Sequence, residues 1–466
     1  MLGRTRRVHF VGIGGIGMSG IAELLANLGY EVSGSDSRRS SITERLVNHC
    51  GVVMHEGHIA ANVDDADVVV VSSAVRPSNP EVVEARRRGI PVIPRAEMLA
   101  ELMRLKFSVA VAGSHGKTTT TSMIALALER AGLDPTAVIG GRLSVFGSNA
   151  RLGRGEYLVA EADESDRSFL MLWPSIAVIT NIDHEHMESY GTLDELQMAF
   201  AQFANKVPFY GSVVACVDDP NVVAVLPRMS RRIVTYGFDA AAAVRGTDVE
   251  LGSFGGRCRV TRRGPETDED LGLLELTVPG RHNLQNALAA IAVGERVGVG
   301  FAQVADALRI FHGAERRFER HGEAAGVLVV DDYGHHPTEI AAVLAAARAT
   351  LDRRLVVVFQ PHRYSRTHQL FDTFGPALSS ADEIVLTGIY AAGEDAIPGV
   401  TAAALAESIR RGSGRPVRLI EELEGVVPAV MSTVRPGDAV ITLGAGSVGS
   451  LPARLMQALK EKEAHR

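Results

Sequence analysis

Cysteine is almost missing from this chain. Its 466 residues hold three, Cys50, Cys216 and Cys258, far apart and without a CxxC pair. That spacing excludes a disulfide framework and a cysteine-built zinc site, and it fits a reducing compartment. A basic excess is missing too: the formal net charge is −7 and the pI about 6.1. A nucleic-acid binder usually carries a basic stripe, and the small cluster Arg4, Arg6, Arg7 is explained by a solvated N-terminus. An anionic substrate stays open, because local loops bind phosphate even in an acidic protein. No apolar run is long enough to span a bilayer, so no membrane partner is expected. The first residues imitate a signal peptide, with arginines ahead of Val8 to Met18. Glycines at 12, 14, 15 and 17 interrupt that stretch, and no small-residue cleavage site stands out. It reads as strand and loop, and the expected address is the cytoplasm. Aromatics are scarce at 5 %. Ala, Gly and Val are abundant instead, a mix suited to buried Val-rich strands, Ala-rich helices and Gly-rich loops.

What is present points to a globular α/β chain, with 46 % hydrophobic and 22 % charged residues. A chain of this length calls for roughly two to four domains. Three blocks emerge, each opening on an apolar strand that feeds a polar loop. Residues 1–106 start with strand Val8–Val11, a glycine loop and a helix from about Met18 to Leu28. Further strands are expected at Glu31–Ser33 and Val68–Val71. Residues 107–314 start with strand Phe107–Ala112, followed by a loop and a helix through Arg130. Strands are expected at Tyr157–Ala160, Ile176–Thr180 and Val213–Val217. Ala240–Glu275 reads as irregular or antiparallel, and an Ala-rich helix runs from about Leu284 to Val297. Residues 315–466 follow the charged segment Glu315–Arg320, with strands expected at Val327–Val330, Leu355–Phe359, Glu383–Leu386 and Ala439–Leu443. Strands alternating with helices predict parallel sheets.

Several strand ends carry candidate chemistry. Gly12-Ile13-Gly14-Gly15-Ile16-Gly17 matches G-x-G-x-x-G between a strand and a helix, where a pyrophosphate can meet backbone N–H groups. Asp36 lies where a ribose-binding acid would sit. From the pattern alone the guess is NAD(H), with another diphosphate ligand or a structural turn left open. Gly113-Ser114-His115-Gly116-Lys117-Thr118-Thr119 resembles a phosphate loop, although Val111 stands where a full Walker A has glycine. Its backbone would cradle phosphates, Lys117 would reach the β and γ oxygens, and Thr118 would ligate Mg²⁺. The bland reading is a glycine turn with an exposed lysine. Glu161-Ala162-Asp163-Glu164-Ser165-Asp166 follows the next strand, placed to hold Mg²⁺ or simply a solvated acidic loop. Asn181-Ile182-Asp183-His184-Glu185-His186 follows another, with Asp183 or His186 as metal candidates. It is not the HExxH helix pattern. Asp331 to Pro337 and Phe359 to Thr367 close two strands of the third block. Arg363 and Arg366 could clamp a carboxylate there, or simply form a solvated basic loop.

Together these segments resemble the Mur ligases of bacterial cell-wall synthesis, most closely the branch acting on UDP-N-acetylmuramate and L-alanine. The likeness rests on GIGGIGMSGIAE (12–23), SSAV (72–75), GSHGKTTT (113–120), EADESD (161–166), TNIDHEHM (180–187), HNLQNA (282–287), RRFE (316–319), DDYGHHPTEI (331–340) and FQPHRYSRT (359–367), in the family's order over nearly the whole chain. It implies a Rossmann-like N-terminal domain, a central phosphate-loop α/β domain that binds ATP, and a C-terminal Rossmann-like α/β domain. The implied reaction is ATP-dependent amide formation through an acyl phosphate. The implied UDP-sugar residues are Gly12, Gly14, Gly15, Gly17, Asp36, Ser72 and Ser73. Those for ATP are Gly113, Ser114, His115, Gly116, Lys117, Thr118, Thr119, Asn283, Asn286 and Asp332, with Arg317 reaching the phosphates. Thr118 and Glu161 resemble ligands of one Mg²⁺, and Glu161 with His186 those of a second. Tyr333, His362, Arg363 and Arg366 resemble the L-alanine site. Lys117, Glu161, His186 and Arg317 carry the implied catalysis. The likeness overrides NAD(H). Ser114 departs from the family's common Thr, and no lysine suits the carbamate that other branches use. Two alternatives remain for the whole chain. One is the branch that attaches a ready-made tripeptide to the same sugar nucleotide, disfavoured by GMSGIAE and HRYSRT. The other is a dehydrogenase using NAD. A non-catalytic nucleotide sensor is disfavoured by the separate polar strand ends. The expected state is a monomer or weak homodimer.

Overall fold

A computed structural model describes residues 3–72, 74–143, 148–252, 255–313 and 316–464. Three sheets organise them. The first contains β1 (Arg7–Val11), β2 (Glu31–Asp36), β3 (Val53–Glu56), β4 (Val68–Val71) and β5 (Val92–Pro94), in the order β3-β2-β1-β4-β5 and parallel throughout. The order reverses at β1. Loops at such a switch point splay to opposite faces, so the glycine loop after Val11 opens a crevice at the carboxyl edge. Val68 to Val70 are buried, as an apolar run covered on both faces must be.

The second sheet has ten strands. In chain order they are β6 (Phe107–Ala112), β7 (Thr136–Leu143), β8 (Ser148–Arg151), β9 (Tyr157–Glu161), β10 (Ile176–Ile179), β11 (Ser212–Cys216), β12 (Ile233–Gly237), β13 (Val244–Gly252), β14 (Gly255–Arg262) and β15 (Glu269–Leu276). The spatial order is β15-β14-β13-β12-β11-β10-β6-β9-β7-β8. Strand β6 therefore lies between β10 and β9, parallel to both, with Val111 beside Glu161 and Ala112 beside Ile179. That register delivers the three polar loops after β6, β9 and β10 to one edge. Helix Lys117–Arg130 behind β6 buries every residue from Thr119 to Leu128, which makes it a central helix rather than a surface one. One apolar cluster runs from Val8 and Phe10 through Met98, Leu102 and Phe169 to Ala110 and Phe200.

The third sheet contains β16 (Glu319–Ala324), β17 (Val327–Asp332), β18 (Arg354–Phe359), β19 (Glu383–Thr387), β20 (Val417–Ile420) and β21 (Asp438–Leu443), in the order β16-β17-β21-β18-β19-β20. Only β16 runs antiparallel, beside β17. Alternate residues feed two cores: Leu328, Val330, Val357 and Ile441 on one face, Val327, Val329, Val356 and Val440 on the other. The chain divides into two compact units: Met1–Asp248 with Cys258–Glu275 and Leu284–Phe311, and Val249–Arg257 with Leu276–Asn283 and His312–Arg466.

Every strand expected from the sequence is present, and Ala240–Glu275 resolves into β13 to β15. The sequence reading missed β3, β5, β7, β8, β12, β16 and β20. Half-exposed composition hid β3, whose Val53 and Glu56 face outward, and a three-residue length ending in proline hid β5. The three cysteines are free. No helix of the described residues is long and apolar enough to cross a membrane.

Candidate active site

The glycine loop is drawn tight by its own neighbours. Gly12 and Ile13 donate N–H to the carbonyl of Ser35 at 2.8 and 3.0 Å, and Gly14 donates to Asp36 Oδ2 at 2.9 Å. A Cβ on Gly14 would stand 2.8 Å from that carboxylate oxygen, so glycine is required for the close approach. Ser72 Oγ lies against Gly12, and the Arg95 guanidinium lies against Gly17. Asp36 and Ser72 thus stand directly against the loop Gly12–Gly17. Ser73 lies outside the described residues. Arg95 opens a helix after β5, gave no signal in the sequence reading, and reaches Asp163 at 3.6 Å.

The phosphate loop is stitched to the loop after β10. Ser114 Oγ accepts from the Asp183 N–H at 2.8 Å, and Thr180 Oγ1 donates to the His115 carbonyl at 2.6 Å. Asn181 takes up the N–H groups of Ser114 and His115 through its carbonyl and its side chain. Two of the loop's N–H groups, those of Ser114 and His115, are thus already engaged. The following helix starts at Lys117 without a side-chain cap hydrogen bond. Gly113 sits at φ +141°, and a Cβ there would stand 2.0 Å from Thr180 Oγ1. At Gly116, φ +80°, it would stand 2.9 Å from Asn286 Oδ1, which puts Asn286 against the loop.

Lys117 is not exposed, contrary to the bland reading. Its Nζ donates to the carbonyls of Gly113 (2.6 Å) and Ser114 (3.1 Å) and to Glu164 Oε1 (2.8 Å). Burial works against the ammonium, but Glu164, Asp163 and Glu185 outweigh it and hold the pKa above the ordinary lysine value. Burial drives the Glu164 carboxyl up to about 7 against the pull of Lys117. Glu164, Glu185 and His186 place ligand atoms within 4.8 Å of one another. The carboxylate of Asp183, a metal candidate by sequence, meets His115 Nε2 at 3.0 Å. Thr118 is the second residue of the helix and Glu161 ends β9; both are half-buried.

In the second unit, β17 ends on two acids with different tasks. Asp331 takes the Nε of Arg316 at 2.7 Å and bonds Thr442. Asp332 accepts the N–H groups of Phe318 and Gly334, each at 2.7 Å, and burial lifts its carboxyl to about 6 despite Arg317. Arg317 lies 5.4 Å from the Tyr333 ring centre and 3.5 Å from Glu339. His335 stands edge-on to Tyr333 and tilted against His362, and His362 stacks on Tyr390 at 5.5 Å. Arg366 Nη1 lies 3.3 Å from His362 Nδ1. Burial and the adjacent arginines push His362 down to about 4, so the ring is neutral near pH 7. Arg363, at φ +71°, donates its backbone N–H to the Tyr390 carbonyl and places its guanidinium 3.9 Å from Glu394. Tyr333, His362 and Arg366 thus gather around His335, and Arg363 lies by His362. Tyr390 and Glu394 were not singled out from the sequence. Their signal was available: they lie in the polar loop that follows β19 at the carboxyl edge of a parallel sheet. Asn283 donates to the Pro279 carbonyl at 2.7 Å.

Three family models match in chain order: "Mur ligase family, catalytic domain" over 7–107, "Mur ligase middle domain" over 111–294, and "Mur ligase, glutamate ligase domain" over 316–446. A UDP-N-acetylmuramate–L-alanine ligase of Myxococcus xanthus is 55 % identical over 97 % of this chain and 95 % of its own. One from Anaeromyxobacter dehalogenans is 55 % identical over 98 % of both chains. Among solved structures, the UDP-N-acetylmuramate–alanine ligase of Thermotoga maritima superposes with a TM-score of 0.83 at 30 % identity, covering 98 % of this chain and 99 % of that one. A murein peptide ligase of Psychrobacter arcticus reaches 0.72 at 26 % identity, covering 97 % and 98 %. With matches that run in order from the first sheet to the last, the chain belongs to the Mur ligase family.

Proposed function

We propose that this chain uses ATP to join L-alanine to the lactoyl carboxylate of UDP-N-acetylmuramate, an amide-forming step of peptidoglycan precursor synthesis. The observation that carries the reading is the 55 % identity, nearly end to end, to relatives whose names state those two substrates. A carboxylate resists attack because resonance and charge protect its carbon. Transfer of the γ-phosphoryl of ATP to the lactoyl oxygen, with ADP leaving, gives an acyl phosphate. The alanine amine then attacks the acyl carbon, loses its protons, and phosphate departs. The protein's task is positioning and charge neutralisation.

The residues divide that task by block. Residues 1–106 take the UDP-sugar, with its diphosphate at Gly12–Gly17 and Asp36 and Ser72 beside it. Residues 107–314 take the ATP phosphates at Lys117 and the first-turn N–H groups, with Asn286 against the loop. Residues 315–466 supply Asp332 for the ATP ribose, Arg317 for the phosphates, and Arg363 and Arg366 for the carboxylate of L-alanine. The carboxylates of Glu164 and Glu185, with ligand atoms within 4.8 Å of His186, are hard oxygens of the kind magnesium takes. Magnesium held by Thr118, Glu161 and His186 would neutralise the phosphate charge.

The test is ATP-dependent phosphate release with UDP-N-acetylmuramate and a panel of amine acceptors. L-alanine is expected to support turnover. Release with a murein tripeptide but not with L-alanine would move the chain to the recycling branch. Saturable NADH binding without UDP-sugar binding would sink the ligase reading altogether.

A further inference from the structure

The loops that lead into β10, β11 and β12 carry aromatic and basic side chains that the proposed function does not use. These three strands are parallel neighbours, and β10 is parallel to β6. Their leading loops therefore meet at the amino edge of the sheet, opposite the phosphate loop. Trp173, the chain's single tryptophan, precedes β10 and is 55 % exposed. Before β11 the chain turns over residues 208–211, closed by the Gly211 N–H on the Pro208 carbonyl at 2.9 Å. Phe209 and Tyr210 form the tip, 91 % and 59 % exposed and edge-on to each other at 5.3 Å. Turn tips favour Gly, Pro, Asn and Asp, so two rings held out in water do not serve the turn. The turn is pinned to the loop before β10: a Cβ on Gly211 would stand 2.1 Å from the Ser175 carbonyl oxygen. Lys206 Nζ lies over the Trp173 ring at 4.4 Å. Arg231 and Arg232 precede β12; Arg231 Nε donates to the Asn205 carbonyl at 3.2 Å, and the Arg232 carbonyl accepts from the Val213 N–H at 2.8 Å. Among the described residues no ion pair joins Lys206, Arg231 or Arg232 to an acid, in a chain whose net charge is −7.

We propose that this edge docks the chain on an anionic lipid surface. Tryptophan and tyrosine beside lysine and arginine suit the headgroup level of a bilayer, rings toward the acyl boundary and cations toward phosphate. An anionic leaflet attracts the three cations, and the exposed rings add the apolar part of the binding. A second copy of this chain fits the surface less well, because a two-fold contact would set the same cations against each other. Docking of this kind needs no spanning run, and spanning runs are all that the sequence and the described helices exclude. With lipid at the amino edge of the sheet, the phosphate loop at the carboxyl end of β6 is turned away from the membrane. The proposal stands apart from the ligase reading, since none of these residues is assigned to a substrate.

Trp173 supplies the readout. The full chain is titrated with vesicles of mixed phosphatidylcholine and phosphatidylglycerol, following tryptophan emission and co-sedimentation. A saturable blue shift with co-sedimentation is expected, and weaker binding to vesicles of phosphatidylcholine alone. Raising the salt from about 0.1 to about 1 M shortens the screening length from about 10 to about 3 Å and should weaken binding. Phe209→Ser combined with Tyr210→Ser should weaken it by at least about tenfold, less than the transfer of the two rings out of water is worth. Both side chains are exposed, so the double variant should fold and keep the wild type's phosphate release with L-alanine in solution. No co-sedimentation at millimolar lipid, equal binding to neutral vesicles, or unchanged binding by the double variant overturns the proposal. So does a dimer in sedimentation velocity that the double variant abolishes, because a second copy would then cover the patch. Failure of the ligase reading would show in phosphate release and leave vesicle binding untouched, so the two fall separately.

Discussion

At the scale of single residues, the close approaches at the glycines are the most exacting constraint. At Gly113 an added Cβ would meet Thr180 Oγ1 at 2.0 Å, and φ +141° is a conformation that L side chains avoid. Gly113→Ala must push the loop or Thr180 aside. A shift of about 1 Å at a reacting phosphate costs about 100-fold in rate. Phosphate release should fall by about that factor, while UDP-sugar binding measured by calorimetry stays near wild type. Loss of both would mean that the clash spreads beyond the loop. Glu81 makes a different case. Its buried carboxylate accepts from Ser35 Oγ (2.7 Å), His58 Nδ1 (2.9 Å) and Asn62 Nδ2 (2.6 Å), with His9 Nε2 at 3.5 Å. Burial alone would raise its pKa, but these donors win and lower it from 4.5 to about 2. The unfolded chain therefore binds the proton more readily. The stability contribution is complete above about pH 4.5 and is lost as pH falls toward 2, amounting to about 3 kcal/mol by the shift. Urea unfolding of wild type against Glu81→Gln should show a gap that closes over this acid window. A pH-independent gap would show that the carboxylate charge is not what the network stabilises.

At the scale of elements, the loop from Gln360 to Thr367 depends on its neighbour after β19. Glu394 accepts from Ser365 N–H at 3.0 Å and from Ser365 Oγ at 2.7 Å, and it faces Arg363. These contacts hold the short helix Tyr364–Gln369 and, through it, both arginines of the proposed carboxylate clamp. Hydrogen bonds to a charged group are worth about 1.5–3 kcal/mol each. Glu394→Ala should raise the KM for L-alanine roughly tenfold or more, with a smaller effect on the KM for ATP. An equal rise in both would mean that the loop serves the whole unit and not the amine acceptor. The same element logic explains the loop after β10. Its Thr180, Asn181 and Asp183 brace the phosphate loop, because β10 lies directly beside β6.

At the scale of the whole molecule, the proposed function puts the two nucleotides on different sheets. The glycine loop belongs to the five-stranded sheet and the phosphate loop to the ten-stranded one. Lys117→Ala should therefore abolish phosphate release and leave UDP-sugar binding largely intact. Equal loss of both would undo the division. The new cavity and the loss of the Glu164 partner will lower the melting temperature, so binding is to be measured well below it.

The linear sequence determined the α/β class, the succession of blocks, and the loops that carry chemistry. Buried parallel strands must be continuous apolar runs, and loops that take phosphate must be rich in glycine, so both leave local marks. Val68–Val71 and Gly113–Thr118 were legible for that reason. Edge strands such as β3 were not, because a half-exposed strand has no distinctive composition. Tertiary structure alone decided the rest. Which strand neighbours which is set by packing between residues distant in sequence, and the place of β6 between β9 and β10 brings Glu164, Glu185 and His186 to Lys117. Only that placement tells a buried acid facing a lysine, with one oxygen unpaired, from the solvated acidic loop that EADESD could equally have been.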